Sequence, residues 1–199
     1  MRPAGPDVSI PDGALLPCVV QHADTGRVLM LAYMDTEALD ATVETGLGHF
    51  HSRSRERLWK KGETSGNGLA VTSLAADCDG DAILMLARPA GPTCHTGAES
   101  CFDSAGPALC DLAGTIAERA GTADGGSYVA GLLAKAREAR QRKVGEEAVE
   151  TMLAGPGSDH LVSEVADLWF HSMVLLAGDG RDPLEPLAEL GRRRRDPVV

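Results

Sequence analysis

Asp77-Cys78-Asp79-Gly80-Asp81 is the densest chemistry in the chain. On an extended backbone successive side chains point to opposite faces, so the three aspartates would face one way and Cys78 the other. Three carboxylates on one side repel one another unless a cation neutralises them. Hard oxygen donors suit Mg²⁺, whereas a thiol suits a softer ion such as Zn²⁺. An acidic turn between two strands is the plainer alternative. An EF-hand is excluded, because the positions that need Gly and Glu hold Ala82 and Arg88.

Cys94-His95 and Cys101 follow, spaced too widely for a zinc knuckle. With Cys78 they make three thiolates, a set that leaves one position of tetrahedral zinc open, as catalytic sites require. His95 is then either a proton carrier or a fourth, structural ligand. Cys18 and Cys110 read as small core residues. Upstream, His51 to Gly66 interleaves Arg53, Arg55, Arg57, Lys60 and Lys61 with Ser52, Ser54, Thr64, Ser65 and glycines. Guanidinium forks, hydroxyls and glycine amides can close around a phosphate, which makes Arg53, Arg55, Lys61, Thr64 and Ser65 candidate substrate contacts. The segment is not a Walker motif. A solvated basic strand is the alternative.

The second half carries a different acid pattern. Glu146, Glu147 and Glu150 lie three and four residues apart and share a helix face; Glu164 and Asp167 do so on the next helical stretch. Two facing helices would gather these carboxylates, as helix bundles do when they hold divalent metals. Solvated helix surface is the alternative. Leu153, Val162, Val165, Ala166, Trp169 and Met173 flank the acids as expected core, which turns part of the acidic face inward. Lys143, Arg119 and Lys135 are available to neutralise phosphates.

The elements that must position these groups change character midway. Apolar runs at Leu15–Val20, Val28–Tyr33, Leu69–Ala76 and Ala82–Arg88, with alternation over His49–Arg53, predict strands. Asp35 or Thr36 caps a short helix that Gly46 stops. Beyond the Gly- and Pro-rich stretch 89–107 the spacing is helical: Leu109, Leu112, Ile116 and Ala120; then Ser127 to Leu153 with a break near Lys135; then Ser158 or Asp159 to Leu176; then Pro183 to Leu190. A loop holds Gly121, Gly125 and Gly126, and Arg192 to Arg195 read as a tail. The expectation is an α+β chain, with a β-rich domain at 1–104, a junction at Asp103–Pro107 and an all-α helical bundle at 108–199.

The 199 residues are 43% apolar, enough for a packed core, and carry a net charge of −10. That balance argues against a nucleic-acid binder and leaves any basic cluster as a local anion site. Five cysteines, an odd number, argue against a disulfide framework. The first residues lack the pattern of a signal peptide, and no uninterrupted apolar run reaches membrane length. A cytoplasmic protein without a membrane partner is expected.

Met30-Leu31-Ala32-Tyr33-Met34, Ser52-Arg53-Ser54-Arg55, Leu58-Trp59, Lys61-Gly62-Glu63-Thr64-Ser65-Gly66-Asn67, the aspartate motif and Cys94-His95 with Cys101-Phe102 resemble phosphoribosyl-AMP cyclohydrolase of histidine biosynthesis. The resemblance covers roughly residues 15–103. It implies Zn²⁺ on Cys78, Cys94 and Cys101, Mg²⁺ on Asp77, Asp79 and Asp81, and a homodimer whose zinc site draws cysteines from both subunits. His22 and His51 depart from it, standing where an acidic and an aromatic residue are usual. Lys143 to Glu150, Glu164 to His171, Leu112 to Arg119 and Ser127-Tyr128 are similar to phosphoribosyl-ATP pyrophosphohydrolase. That similarity implies Mg²⁺ on Glu146, Glu147, Glu150, Glu164 and Asp167. The order of the two halves implies a fused enzyme that converts phosphoribosyl-ATP to phosphoribosyl-AMP and pyrophosphate, then opens the adenine ring. His95 and Glu147 are the expected catalytic groups, and Lys143 joins the substrate contacts. A zinc-stabilised scaffold and a pyrophosphohydrolase acting on other nucleotides are the competing readings.

Overall fold

The computed structural model describes residues 3–6, 9–102, 107–121 and 127–195. It divides into two compact units, Met1–Pro107 and Ala108–Val199. Residues 103–106 of the expected junction at Asp103–Pro107 and the glycines Gly125 and Gly126 lie outside the described residues.

In the first unit, β1 (Leu16–His22), β2 (Val28–Met34), β5 (Leu69–Ala76) and β6 (Ile83–Pro89) form a sheet in the order β2-β1-β6-β5. The β1–β2 and β5–β6 pairs are antiparallel, and β1–β6 is parallel. Period-2 alternation places Leu16, Cys18 and Val20 of β1 and Ile83, Met85 and Ala87 of β6 in one core. Burial pushes the Cys18 thiol up to about 12, so it behaves as a small apolar residue. His22 closes the first hairpin, its Nδ1 accepting from the amides of Asp24 and Thr25, both at 3.2 Å.

Helix α1 (Thr36–Thr45) starts at Asp35, whose Oδ1 accepts from the Ala38 amide at 2.8 Å, and ends at Gly46 with φ 71°. The strand expected over His49–Arg53 is β3 (His49–Ser52), and it pairs with β4 (Arg57–Lys60). Strand β4 is not expected from the sequence, because Arg57–Lys60 has no apolar alternation of its own. Buried Phe50 of β3 and half-buried Trp59 of β4 supply the reason for the pairing: they stand opposite each other and their rings pack at 5.3 Å between centroids.

The second unit is helical: α2 (Ala108–Gly121), α3 (Tyr128–Leu133), α4 (Arg137–Leu153), α5 (Asp159–Gly178) and α6 (Glu185–Arg195). The expected break near Lys135 separates α3 from α4. It is held by buried Arg140, which donates to the carbonyls of Leu133, Lys135 and Gly178. Two expectations change. Gly121 ends α2 instead of lying in the loop, and the arginine run is helical, because Glu189 pairs with Arg192 and Arg193 one turn away. Averaged over its length, α5 is also long and apolar enough to cross a membrane, although no uninterrupted apolar run of that length occurs.

Candidate functional site

The aspartate motif occupies the loop from β5 to β6. The expected extended alternation does not hold there. Asp77 Oδ1 accepts from the amides of Asp81 at 2.9 Å and Ala82 at 3.1 Å, and Gly80 takes φ 76°, so the chain turns back on itself. The turn, rather than the pleat, brings one carboxylate oxygen each of Asp77, Asp79 and Asp81 within 4.8 Å of one another. The crowding is visible at Asp81. The Asp81 carboxyl is raised by its hydrogen bond to Asp77 and by the charges of Asp79 and Asp77. Partial desolvation lifts Asp77 too, but the amides of Ala82 and Asp81 outweigh it and leave it lowered. Three exposed carboxylates with one oxygen each this close together fit a hard divalent cation.

The loop carrying Cys94, His95 and Cys101 is strapped to the sheet. Inside it, the Cys94 amide donates to Ala98 O and the Thr93 amide to Glu99 O. The Ser100 hydroxyl donates to Val28 O at 2.8 Å and the Cys101 amide to Leu29 O at 2.8 Å. From the other side, Lys61 Nζ donates to Thr93 O at 2.6 Å and Asn67 Nδ2 to Pro92 O at 3.0 Å. Gly62 (φ 80°) and Gly91 make that approach possible; a Cβ on Gly62 would lie 2.4 Å from Gly68 N, and one on Gly91 2.6 Å from Asn67 Oδ1. Thr96 Oγ1 donates to Cys94 Sγ at 3.2 Å, and His95 Nδ1 lies 3.8 Å from the same sulfur. Among the described residues of one chain, Cys78, Cys94 and Cys101 do not form a metal-holding group.

Arg53 lines an open cavity of about 620 Å³ with Met30, Tyr33, His51, Ser52, Ser54 and Trp59. Its guanidinium carbon lies 3.9 Å from the centroid of the Tyr33 ring, which fixes the fork over an aromatic face. Arg55, Thr64 and Ser65 are exposed and outside that lining. Ser65 Oγ accepts from the Asn67 amide at 3.3 Å, so it shapes the turn that carries the Asn67 strap.

In the helical unit α4 and α5 pack together and gather Glu147, Glu164 and Asp167, with one oxygen of each within 4.8 Å of the others. Glu147 and Glu164 are buried, at 6% and 9% exposure, which is rare for carboxylates without a cation. The Glu150 carboxyl is raised, first by desolvation and then by the charges of Glu147 and Glu164, which places it beside the trio. Glu146 is held apart by Lys143, whose Nζ lies 2.7 Å from Glu146 and 3.2 Å from Glu147; the contact lowers the Glu146 carboxyl and raises the Lys143 ammonium. One ammonium does not balance this many acids, so the donor set fits a divalent cation.

Buried His171, whose place within Glu164 to His171 carries no site signal of its own, belongs to this cluster. Its Nε2 lies 3.5 Å from Glu147 Oε1, and Tyr128 and Phe170 pack edge-on against its ring. Burial lowers its pKa, against the pull of Glu147. The apolar flank expected as core is only partly so. Met173 is buried, but Leu153, Val162 and Trp169 are exposed, because the packing of α4 on α5 turns the acids inward and this stripe out.

A hairpin-bearing sheet with an acid turn and a strapped cysteine loop, followed by helices with a buried acid cluster, defines a hydrolase of two catalytic units. Residues 30–103 match the family model of phosphoribosyl-AMP cyclohydrolase, and residues 109–194 that of phosphoribosyl-ATP pyrophosphohydrolase. The histidine biosynthesis bifunctional protein HisIE of Escherichia coli K12 is 47% identical over 186 residues, covering 91% of this chain and 92% of its own. Its namesake in Xylella fastidiosa Temecula1 is 45% identical over 203 residues, 98% of both chains; that of Salmonella typhimurium is 49% identical over 167 residues, 81% and 82%. The chain belongs to this family of bifunctional histidine-biosynthesis enzymes, a cyclohydrolase followed by a pyrophosphohydrolase.

Proposed function

We propose that the helical unit, about 108–199, hydrolyses phosphoribosyl-ATP to phosphoribosyl-AMP and pyrophosphate, and that the β-rich unit, about 1–104, then opens the adenine ring of phosphoribosyl-AMP. The observation that carries the first step is the convergence of Glu147, Glu164 and Asp167 beside Glu150. These residues, with Glu146, would hold Mg²⁺, which when bound offsets negative charge on a triphosphate and its leaving group. Glu147 is the carboxylate positioned to orient the attacking water, since His171 and Lys143 fix it from two sides. Lys143 is close enough to that site to meet a phosphate oxygen.

In the β-rich unit, Cys78, Cys94 and Cys101 would hold Zn²⁺, a Lewis acid for attack of water on the ring carbon. Asp77, Asp79 and Asp81 would hold Mg²⁺. That the three thiols do not converge in one chain supports a homodimer in which two subunits share the zinc site. The exposed Met152, Leu153 and Val162 of the helical unit also favour association. His95, next to the Cys94 sulfur, is the proton carrier, and Arg53 in the cavity holds a phosphate of the substrate, with Arg55, Thr64 and Ser65 at its approach. Lys61 serves the same site through the cysteine loop. We infer a cytoplasmic enzyme with no nucleic-acid or membrane partner.

Feeding phosphoribosyl-ATP to the purified chain tests the whole reading: pyrophosphate and the ring-opened product should both appear. Cys101→Ala should abolish ring opening and spare pyrophosphate release, and Glu147→Ala should stop pyrophosphate release and leave ring opening of supplied phosphoribosyl-AMP. Equal loss of both steps in either variant would refute two separate sites.

A further inference from the structure

We propose that His51 is a second cationic contact to the phosphate bound beside Arg53, held in place by Asp35. The proposal rests on the reading of the cavity as the phosphate end of the cyclohydrolase site.

The geometry starts with strand alternation. Phe50 is buried in the core, so His51 faces the other way, toward the cavity that Arg53 also lines. His51 Nδ1 lies 2.6 Å from Asp35 Oδ2, with about a fifth of each side chain still exposed, 21% and 24%. A carboxylate only accepts, so Nδ1 carries the hydrogen and the ring orientation is set. Asp35 is itself immobilised, because its other oxygen accepts from the Ala38 amide at the start of α1. The ring is therefore tied through Asp35 to a helix terminus.

That tie leaves Nε2, and among the described residues none bonds it. The pair is open to solvent and His51 lines the cavity, beside the hydroxyl-bearing Ser52 and Ser54 and the guanidinium of Arg53 over Tyr33. A neutral ring would turn a lone pair toward an anion. Binding a phosphate therefore requires Nε2–H, the imidazolium. Besides Asp35 and Arg53, the elements packed on β3 bring Tyr33 of β2, Lys60 of β4, which pairs with His49 and so shares the face of His51, Arg57 of β4, which pairs with Ser52 on the other face, and Glu37, Asp40 and Glu44 on the exposed side of α1.

The test uses steady-state ring opening of phosphoribosyl-AMP by the full metal-loaded chain at pH 6.5 and pH 8.5. His51→Phe should raise KM about tenfold at pH 6.5, the scale of one charge-assisted hydrogen bond. The difference should shrink at pH 8.5, since an imidazole loses its proton as pH rises. The turnover number should stay within about twofold, since the contact is to a remote phosphate and not to the reacting carbon. Asp35→Asn keeps the helix cap and should shift KM the same way by less. Pyrophosphate release from phosphoribosyl-ATP, carried by the other unit, should be unchanged in both and controls for enzyme concentration, while the retained turnover number for ring opening shows that the β-rich unit is folded. A His51→Phe KM equal to that of the native chain at pH 6.5, or a rise that persists undiminished at pH 8.5, overturns the proposal. Arg53→Gln separates the two levels: if it raises KM while His51→Phe does not, the cavity reading stands and the His51 contact is refuted. If Arg53→Gln also leaves KM unchanged, the cavity reading falls as well.

Discussion

Replacing Lys61 by Met asks whether this lysine grips substrate directly or acts through the cysteine loop. The side chains are similar in length, so the stem's packing is kept while the ammonium is lost. In the structure that ammonium donates to the carbonyl of buried Thr93 at 2.6 Å, immediately before Cys94. A hydrogen bond from a charged donor contributes about 1.5–3 kcal/mol, and leaving a buried carbonyl unpaired costs a similar amount. Lys61 is only half-buried, so the lower end applies, about 1.5 kcal/mol or a factor of about ten. If the strap preorganises Cys94, Lys61→Met should lose zinc to a competing chelator about tenfold more readily, while KM for phosphoribosyl-AMP changes less than about twofold. Chelator competition and steady-state kinetics on the same preparation read both quantities. The reasoning is refuted if zinc retention is unchanged while KM rises tenfold, because the ammonium would then be serving the phosphate and not the loop.

Three further outcomes are expected. Gly62→Ala should destabilise the β-rich unit by at least about 2 kcal/mol in denaturant unfolding, because the residue has φ 80° and its Cβ would meet the backbone at Gly68; a stability equal to the native chain would show that the turn relaxes freely. Glu164→Gln should slow pyrophosphate release at least tenfold and leave ring opening unchanged; retained magnesium-dependent release would remove Glu164 from the site. Asp179 is depressed, first by its hydrogen bond from Arg137. A depressed carboxyl stabilises the fold above its unfolded value and loses that contribution as pH falls through the folded one. Asp179→Asn should therefore lower the melting temperature of the helical unit at pH 7, with the gap to native closing below about pH 4; a gap independent of pH would exclude the ion pair as its cause.

The elements themselves were largely legible in the residues, for local reasons. Apolar runs gave away β1, β2, β5 and β6 and alternation β3, Asp35 and Gly46 marked the ends of α1, and Ser127 and Ser158 marked the starts of α3 and α5. Strand β4 escaped because Arg57–Lys60 has no apolar alternation of its own, and its identity comes from Phe50 and Trp59 meeting across the hairpin. The aspartates were rightly seen as one group, although for the wrong backbone: a turn closed by Asp77 replaces the extended chain. Leu153, Val162 and Trp169 were misplaced because helical periodicity says which residues share a face and not what covers that face.

Residue types and spacings alone therefore determined which carboxylates, thiols and cations could act together, since ligand chemistry depends on identity and helix or strand period on neighbours a few positions away. Which of them meet was decided by the folded chain. The Lys61 ammonium reaches Thr93 across 32 residues, and the His51 ring reaches Asp35 across 16. Contacts at such separations exist only after the sheet has closed, because nothing in the local conformational preference of either partner brings the other within hydrogen-bond range.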